Sequence, residues 1–387
     1  MLRVFSGALA PGPSLRGSYM RIAFFTGIWP PDVGGPATHG PDFARFLVGR
    51  GHAVHVVTMG DGEPTERPCE VSVVSRRLPF PLRYGQVTLR GARAARSADV
   101  VYATATYAAA AAAATVARRP LVAKLVSDPA YERARRLRLF TGTLEDFQHS
   151  ATAAVRALRG ARTRALGTAT AIVVPSAYLA EIAVGWGLDR HRITVLTNPA
   201  PPPVAVEPAV LEPGTFVFVG RLTEQKALGV AIDAIARTPA ASLAIVGDGP
   251  ERAQLERIAA ASGASDRIRF LGSRTRDDAL RIAAGAEAGL LSSAWENLPH
   301  SAVEALSVGV PVVSTAVGGV PEVVHDGENG LLVPSGRPDE LARALARILE
   351  EPGLRERLAA AAKPSVAGLS SDVIYARLEG VLAGVSR

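Results

Sequence analysis

A chain of 387 residues, 48% hydrophobic and 20% charged, is too long for one compact core and too apolar to stay disordered. Its net charge of +7 favours anionic partners without choosing among nucleotides, acidic membranes and nucleic acid. The single cysteine, Cys69, excludes an intramolecular disulfide and a cysteine-based metal site, and with them points to a reducing, cytoplasmic setting.

Residues 1–19 hold no continuous apolar run and read as a flexible extension rather than a signal peptide. From Met20 onward, short runs of Val, Ile and Ala alternate with helical stretches. RIAFFTG (21–27), AVHVVTM (53–59), VSVVSRR (71–77), DVVYAT (99–104), LVAKLV (121–126), TAIVVPS (170–176) and ITVLTN (193–198) predict buried parallel strands. The alanine-rich stretch 102–117 is too short to span a bilayer and predicts a buried helix. A first α/β domain over 20–200 follows, closed by a proline-rich linker at 201–213.

A second series begins at once. TFVFVGR (215–221), ASLAIVGDG (241–249), RIRFLGS (267–273), EAGLLSS (287–293), PVVSTA (311–316) and GLLVP (330–334) predict six more strands, giving a second domain over 214–365. The KPS stretch at 363–365 is expected to break the helical tail, leaving 366–387 as a separate final helix. In such sheets ligands bind beyond the carboxyl ends of the strands, so the loops after strands are where chemistry is sought.

VGRLTEQKAL (219–228) puts Arg221 and Lys226 just past a strand, where two cations suit a diphosphate. IVGDGPERAQL (245–255) resembles a dinucleotide fingerprint but holds Arg252 at its third glycine position, which disfavours a nicotinamide-dependent oxidoreductase. In SSAWENLPHSAVEAL (292–306), Glu296 and Glu304 flank the turn into a helix. Amides at such a helix start point outward and favour an anion, and the carboxylates can accept from sugar hydroxyls.

The spaced glutamates, with VGRL…K, GDGP, NLPHSAVEAL, GVPVVST, GGVPEVV and GENGLLV in order, resemble the signature of family-4 retaining glycosyltransferases. The resemblance covers nearly all of 20–385 and implies the GT-B fold. That fold has two doubly wound Rossmann-like domains facing across a cleft and a last helix crossing back to the first domain. It implies a hexose-type transfer from a UDP- or GDP-sugar to a glycan, lipid-linked or small-molecule acceptor, without a metal or other cofactor. Arg221 and Lys226 would hold the diphosphate, Glu304 the ribose, Glu296 the transferred sugar. Asn297 and Leu298 would lend the phosphate loop, Gly34 and Gly35 a backbone approach to the diphosphate, and Gly272 to Arg274 the base contacts. The other readings are a GT-B sugar-nucleotide epimerase or glycoside phosphorylase, and a non-catalytic nucleotide-sugar binder.

One position departs from the family. Many members carry a histidine after the fifth strand, where this chain has Ser127 and Asp128. Asp128 either contacts sugar or acceptor as a catalytic residue, or caps the helix that begins at Pro129. His39 is a second, lone candidate. The arginine-rich segment 131–164 reads either as a peripheral membrane contact or as a solvated face; no nucleic-acid motif accompanies it.

Overall fold

The computed structural model describes residues 19–32, 35–200 and 206–386. The chain divides into two units. One runs to Leu196 and takes in the segment from Ile374 onward; the other is Thr197–Val373.

The first unit holds seven parallel strands: β1 (Arg21–Phe25), β2 (Ala53–Met59), β3 (Glu70–Val74), β4 (Val100–Ala103), β5 (Leu121–Lys124), β6 (Ala171–Val174) and β7 (Ile193–Val195). Their order is β3-β2-β1-β4-β5-β6-β7. Every residue of β4 and β5 is buried, which is why those strands are continuously apolar rather than alternating. The alanine-rich stretch forms the helix Tyr107–Ala117 with Ala109, Ala110, Ala111, Ala113 and Ala114 buried. Small side chains let a helix come close to the sheet: a Cβ on Gly91, in the helix Phe80–Ser97, would fall 2.2 Å from the ring of Phe25 in β1.

The helix Ser371–Val385 belongs mainly to this first unit, as the fold family implies. Ile374, Leu378 and Leu382 are buried, and the Tyr375 ring lies 5.3 Å from that of Phe43. Its Glu379 takes a hydrogen bond from His52 Nε2 at 2.7 Å, while His52 Nδ1 accepts from the Met20 amide at 3.1 Å. Both partners together fix the ring as an Nε2–H tautomer.

The second unit holds six parallel strands: β8 (Thr215–Val219), β9 (Ser242–Val246), β10 (Ile268–Gly272), β11 (Gly289–Leu291), β12 (Val312–Thr315) and β13 (Gly330–Val333). Their order is β10-β9-β8-β11-β12-β13. Both sheets reverse their order beside the first strand, the doubly wound pattern.

Three expected boundaries shift. Pro364 sits inside the last turn of the helix Leu354–Val366, where it removes a single donor, and the chain breaks instead at Ser370. The crossing back falls at 373/374 rather than 366. Of the proline-rich linker, 201–205 lies outside the described residues, and 206–213 packs on the second unit. There the Ala209 amide donates to the Arg281 carbonyl at 2.9 Å, and a Cβ on Gly285 would meet the Ala209 carbonyl at 2.1 Å. Among the described residues no helix is long and apolar enough to cross a membrane.

Candidate functional site

The second sheet reverses between β8 and β11, and the loops leaving those two strands carry most of the expected site. Two glycines set their approach. A Cβ on Gly247 would meet the Gly220 carbonyl at 1.9 Å, and one on Gly249 would meet the Leu222 carbonyl at 2.2 Å. The VGDG turn after β9 therefore lies backbone to backbone on the VGRL turn after β8. That packing, rather than a dinucleotide, explains the partial fingerprint. Gly247 also holds a φ of +133°, which a side chain resists. Gly247→Ala is expected to cost about 3 kcal/mol through combined strain and overpacking, read as the shift in urea midpoint.

Lys226 ends a short 3₁₀ turn, Glu224–Lys226, after β8; Glu296 lies past β11. The two side chains meet as an ion pair, with Lys226 Nζ donating to Glu296 Oε1. Ser293 Oγ donates to the same oxygen at 2.7 Å, and Gln225 Nε2 to Oε2 at 3.4 Å. The Gln225 amide also donates to the Trp295 carbonyl at 3.0 Å, tying the two loops together. Glu296 is buried, yet each carboxylate oxygen can accept from more than one donor. Arg221, two residues past the end of β8, is exposed and makes no hydrogen bond or ion pair with another side chain among the described residues.

The helix His300–Ser307 starts where expected, after Pro299, with Asn297 and Leu298 buried in the turn before it. The amides of Ala302 and Val303 donate to the Pro299 carbonyl at 3.2 and 3.4 Å, and the helix dipole favours an anion at this end. Glu304 lies half-buried on this helix, and burial pushes its carboxyl up, partly offset by Arg276. Arg276 Nε stands 3.5 Å from Glu304 Oε1. The arginine opens the helix Arg276–Ala284, so the pair joins the expected ribose carboxylate to the loop after β10. Gly272, the last residue of β10, has a φ of +70°, and Arg274 in the loop is exposed. The GG turn closes the edge from the other side: the Gly319 amide donates to the Glu296 carbonyl at 3.2 Å.

In the first unit, Gly34 lies outside the described residues, and Gly35 is the first residue of the helix Gly35–Gly49. Asp128 takes the capping alternative. Its Oδ1 accepts from the amides of Ala130 (2.8 Å) and Tyr131 (3.2 Å). Its Oδ2 accepts from Gln148 Nε2 (3.0 Å) and Arg162 Nη1 (2.5 Å), and the side chain is 0% exposed. With both oxygens hydrogen-bonded and the side chain shut from solvent, these contacts describe Asp128 as the cap of the helix Pro129–Arg136 and the partner of Arg162. Arg162, expected on a basic face, is buried over the Trp186 ring at 3.8 Å, and burial pushes its guanidinium down to about 10.

Sequence reasoning missed Gln225, Ser293 and Arg276. Each touches an expected site residue, but none belongs to a residue type or spacing that announces the contact.

The description "Glycosyl transferases group 1" fits residues 205–364, and "Glycosyltransferase Family 4" fits residues 33–202. The chain is 36% identical over 180 residues to the lipopolysaccharide core biosynthesis glycosyltransferase LpsE of Rhizobium meliloti, covering 46% of this chain and 52% of that one. It is 38% identical over 219 residues to a D-inositol 3-phosphate glycosyltransferase of Salinispora tropica, covering 53% and 44%. The chain thus spans about half the length of the curated relatives it matches. In fold it is similar to Anabaena HepE in complex with UDP, with a TM-score of 0.76 at 21% identity over 94% of this chain and 100% of that one.

Proposed function

Because the chain belongs to the family-4 glycosyltransferases of GT-B fold, we propose that it transfers a hexose-type sugar, with retention, from a nucleoside diphosphate sugar to a hydroxyl acceptor. The observation that carries this reading is the convergence of Lys226, Glu296 and the start of the helix His300–Ser307 at the reversal point of the second sheet. Arg221, Lys226 and the helix amides hold the diphosphate and stabilise the charge that grows on it as it leaves. Glu304 takes the ribose hydroxyls, with Arg276 holding the carboxylate in place. Glu296 orients Lys226 and turns its remaining lone pairs to the sugar.

In the step itself the bond from the anomeric carbon to the phosphate oxygen breaks. The acceptor oxygen bonds to that carbon on the same face. The acceptor proton passes to the departing phosphate oxygen. This chemistry asks for no pair of carboxylates of the glycosidase kind, and the reading includes neither a metal nor another cofactor. The UDP bound by HepE favours a UDP-sugar over a GDP-sugar. A cytoplasmic enzyme fits the single cysteine.

A panel of UDP- and GDP-sugars incubated with the protein tests the reading. Slow hydrolysis of one donor is expected and would identify base and sugar together. Neither binding nor hydrolysis of any donor would refute it.

A further inference from the structure

The helix Phe80–Ser97 carries Arg83, Arg90, Arg93 and Arg96 and no acidic residue. It buries Val87, Gly91, Ala92, Ala94 and Ala95. Its outer side exposes Phe80 (45%), Leu82 (60%) and Leu89 (54%), the last two seven residues apart and therefore on one stripe. Arg133, from the helix Pro129–Arg136, lies over the Phe80 ring at 4.6 Å and joins a second segment to the first. That segment exposes Leu137 (52%) and Leu139 (45%), interleaved with the exposed Arg136 and Arg138.

Large apolar side chains exposed on two segments that meet where Arg133 covers Phe80 call for a partner. Their interleaving with arginines, with Glu132 the one acid across 77–97 and 131–140, specifies its chemistry. We propose that this patch docks on an anionic lipid bilayer, its guanidinium groups meeting lipid phosphates while the leucines and Phe80 enter the acyl boundary. Charge complementarity selects the bilayer, and the leucines separate it from a nucleic acid, which would use the arginines alone.

The membrane contact expected of 131–164 thereby moves. The helix Ala153–Gly167 is also basic and free of acids, but none of its large apolar side chains is exposed, and its Arg162 is internal. Only the first part of that segment belongs to the patch, and its larger share lies on Phe80–Ser97.

Co-sedimentation of the full chain with vesicles tests this, comparing phosphatidylcholine alone with phosphatidylcholine mixed with phosphatidylglycerol. Binding to the mixed vesicles alone is expected, weakening as salt shortens the Debye length. Each arginine near the surface contributes about five-fold in partitioning, so Arg93→Glu with Arg136→Glu should lower it at least about 25-fold. Leu82→Ser with Leu137→Ser should also abolish sedimentation, whereas Arg156→Glu with Arg164→Glu should leave it near the parent value. Circular dichroism verifies that each variant is folded. The proposal is overturned by equal binding to neutral vesicles, by no binding to either, by leucine variants that bind like the parent, or by loss of binding in the Arg156 and Arg164 variant.

Discussion

Lys226→Ala is expected to lower the rate of donor turnover by about two to three orders of magnitude, the scale seen when one preorganised charge stabiliser is removed from a transition state. The Lys226 ammonium is pinned by the buried Glu296, and two of its protons remain for a diphosphate. A cation held in advance needs no reorganisation when the leaving group gains charge, so the loss should fall on kcat at saturating donor rather than on KM alone. The substitution also leaves Glu296 without its counter-charge, although Ser293 and Gln225 still donate to it. Some loss of stability should follow, and turnover must be measured well below the variant's unfolding temperature. Lys226→Ala combined with Glu296→Gln removes both charges and should recover stability without recovering rate. Near-parental kcat in a folded Lys226→Ala protein would remove Lys226 from the mechanism.

What the sequence made legible follows from where the information lies. The thirteen strands could be read because both sheets are parallel and covered on two faces, so each strand is an apolar run bounded by loops. The positions of Lys226 and Glu296 could be read because they sit in loops that follow strands. Lys226 and Glu296 were expected there and are found in contact. Contacts between loops distant in sequence could not be read. Gln225 and Ser293 look like ordinary loop polars until β8 and β11 are laid side by side. Gly247 and Gly249 read as part of an incomplete dinucleotide fingerprint, whereas the backbone of the neighbouring loop is what leaves them no room for a Cβ. The segment 131–164 shows a related limit. Arginine spacing gives charge but not depth, and Arg162 reaches inward to a carboxylate 34 residues away. Pro364 shows the same limit locally: a proline near a helix end costs one donor, and tertiary packing decides where the helix stops.

Arg162→Met is expected to destabilise the protein by about 3–5 kcal/mol, because it strands a buried carboxylate. Asp128 Oδ2 would lose the Arg162 guanidinium and keep only Gln148, with the Asp128 side chain 0% exposed. The stack on Trp186 would be lost in the same substitution, and Gln148 is itself held by a 2.9 Å hydrogen bond from Trp186 Nε1. Arg162→Lys should recover only part of the loss, since an ammonium keeps the charge but cannot lie flat on the indole. The double variant Asp128→Asn with Arg162→Met removes both charges and should be more stable than Arg162→Met alone, a coupling that urea denaturation can measure. An Arg162→Met protein within about 1 kcal/mol of the parent would contradict the buried pair, given what stranding a charge costs. The same double variant decides what Asp128 is for. If the carboxylate only caps Pro129–Arg136 and binds Arg162, the folded double variant should keep near-parental kcat. A stable double variant with kcat reduced a hundred-fold or more at saturating donor would return Asp128 to the chemistry.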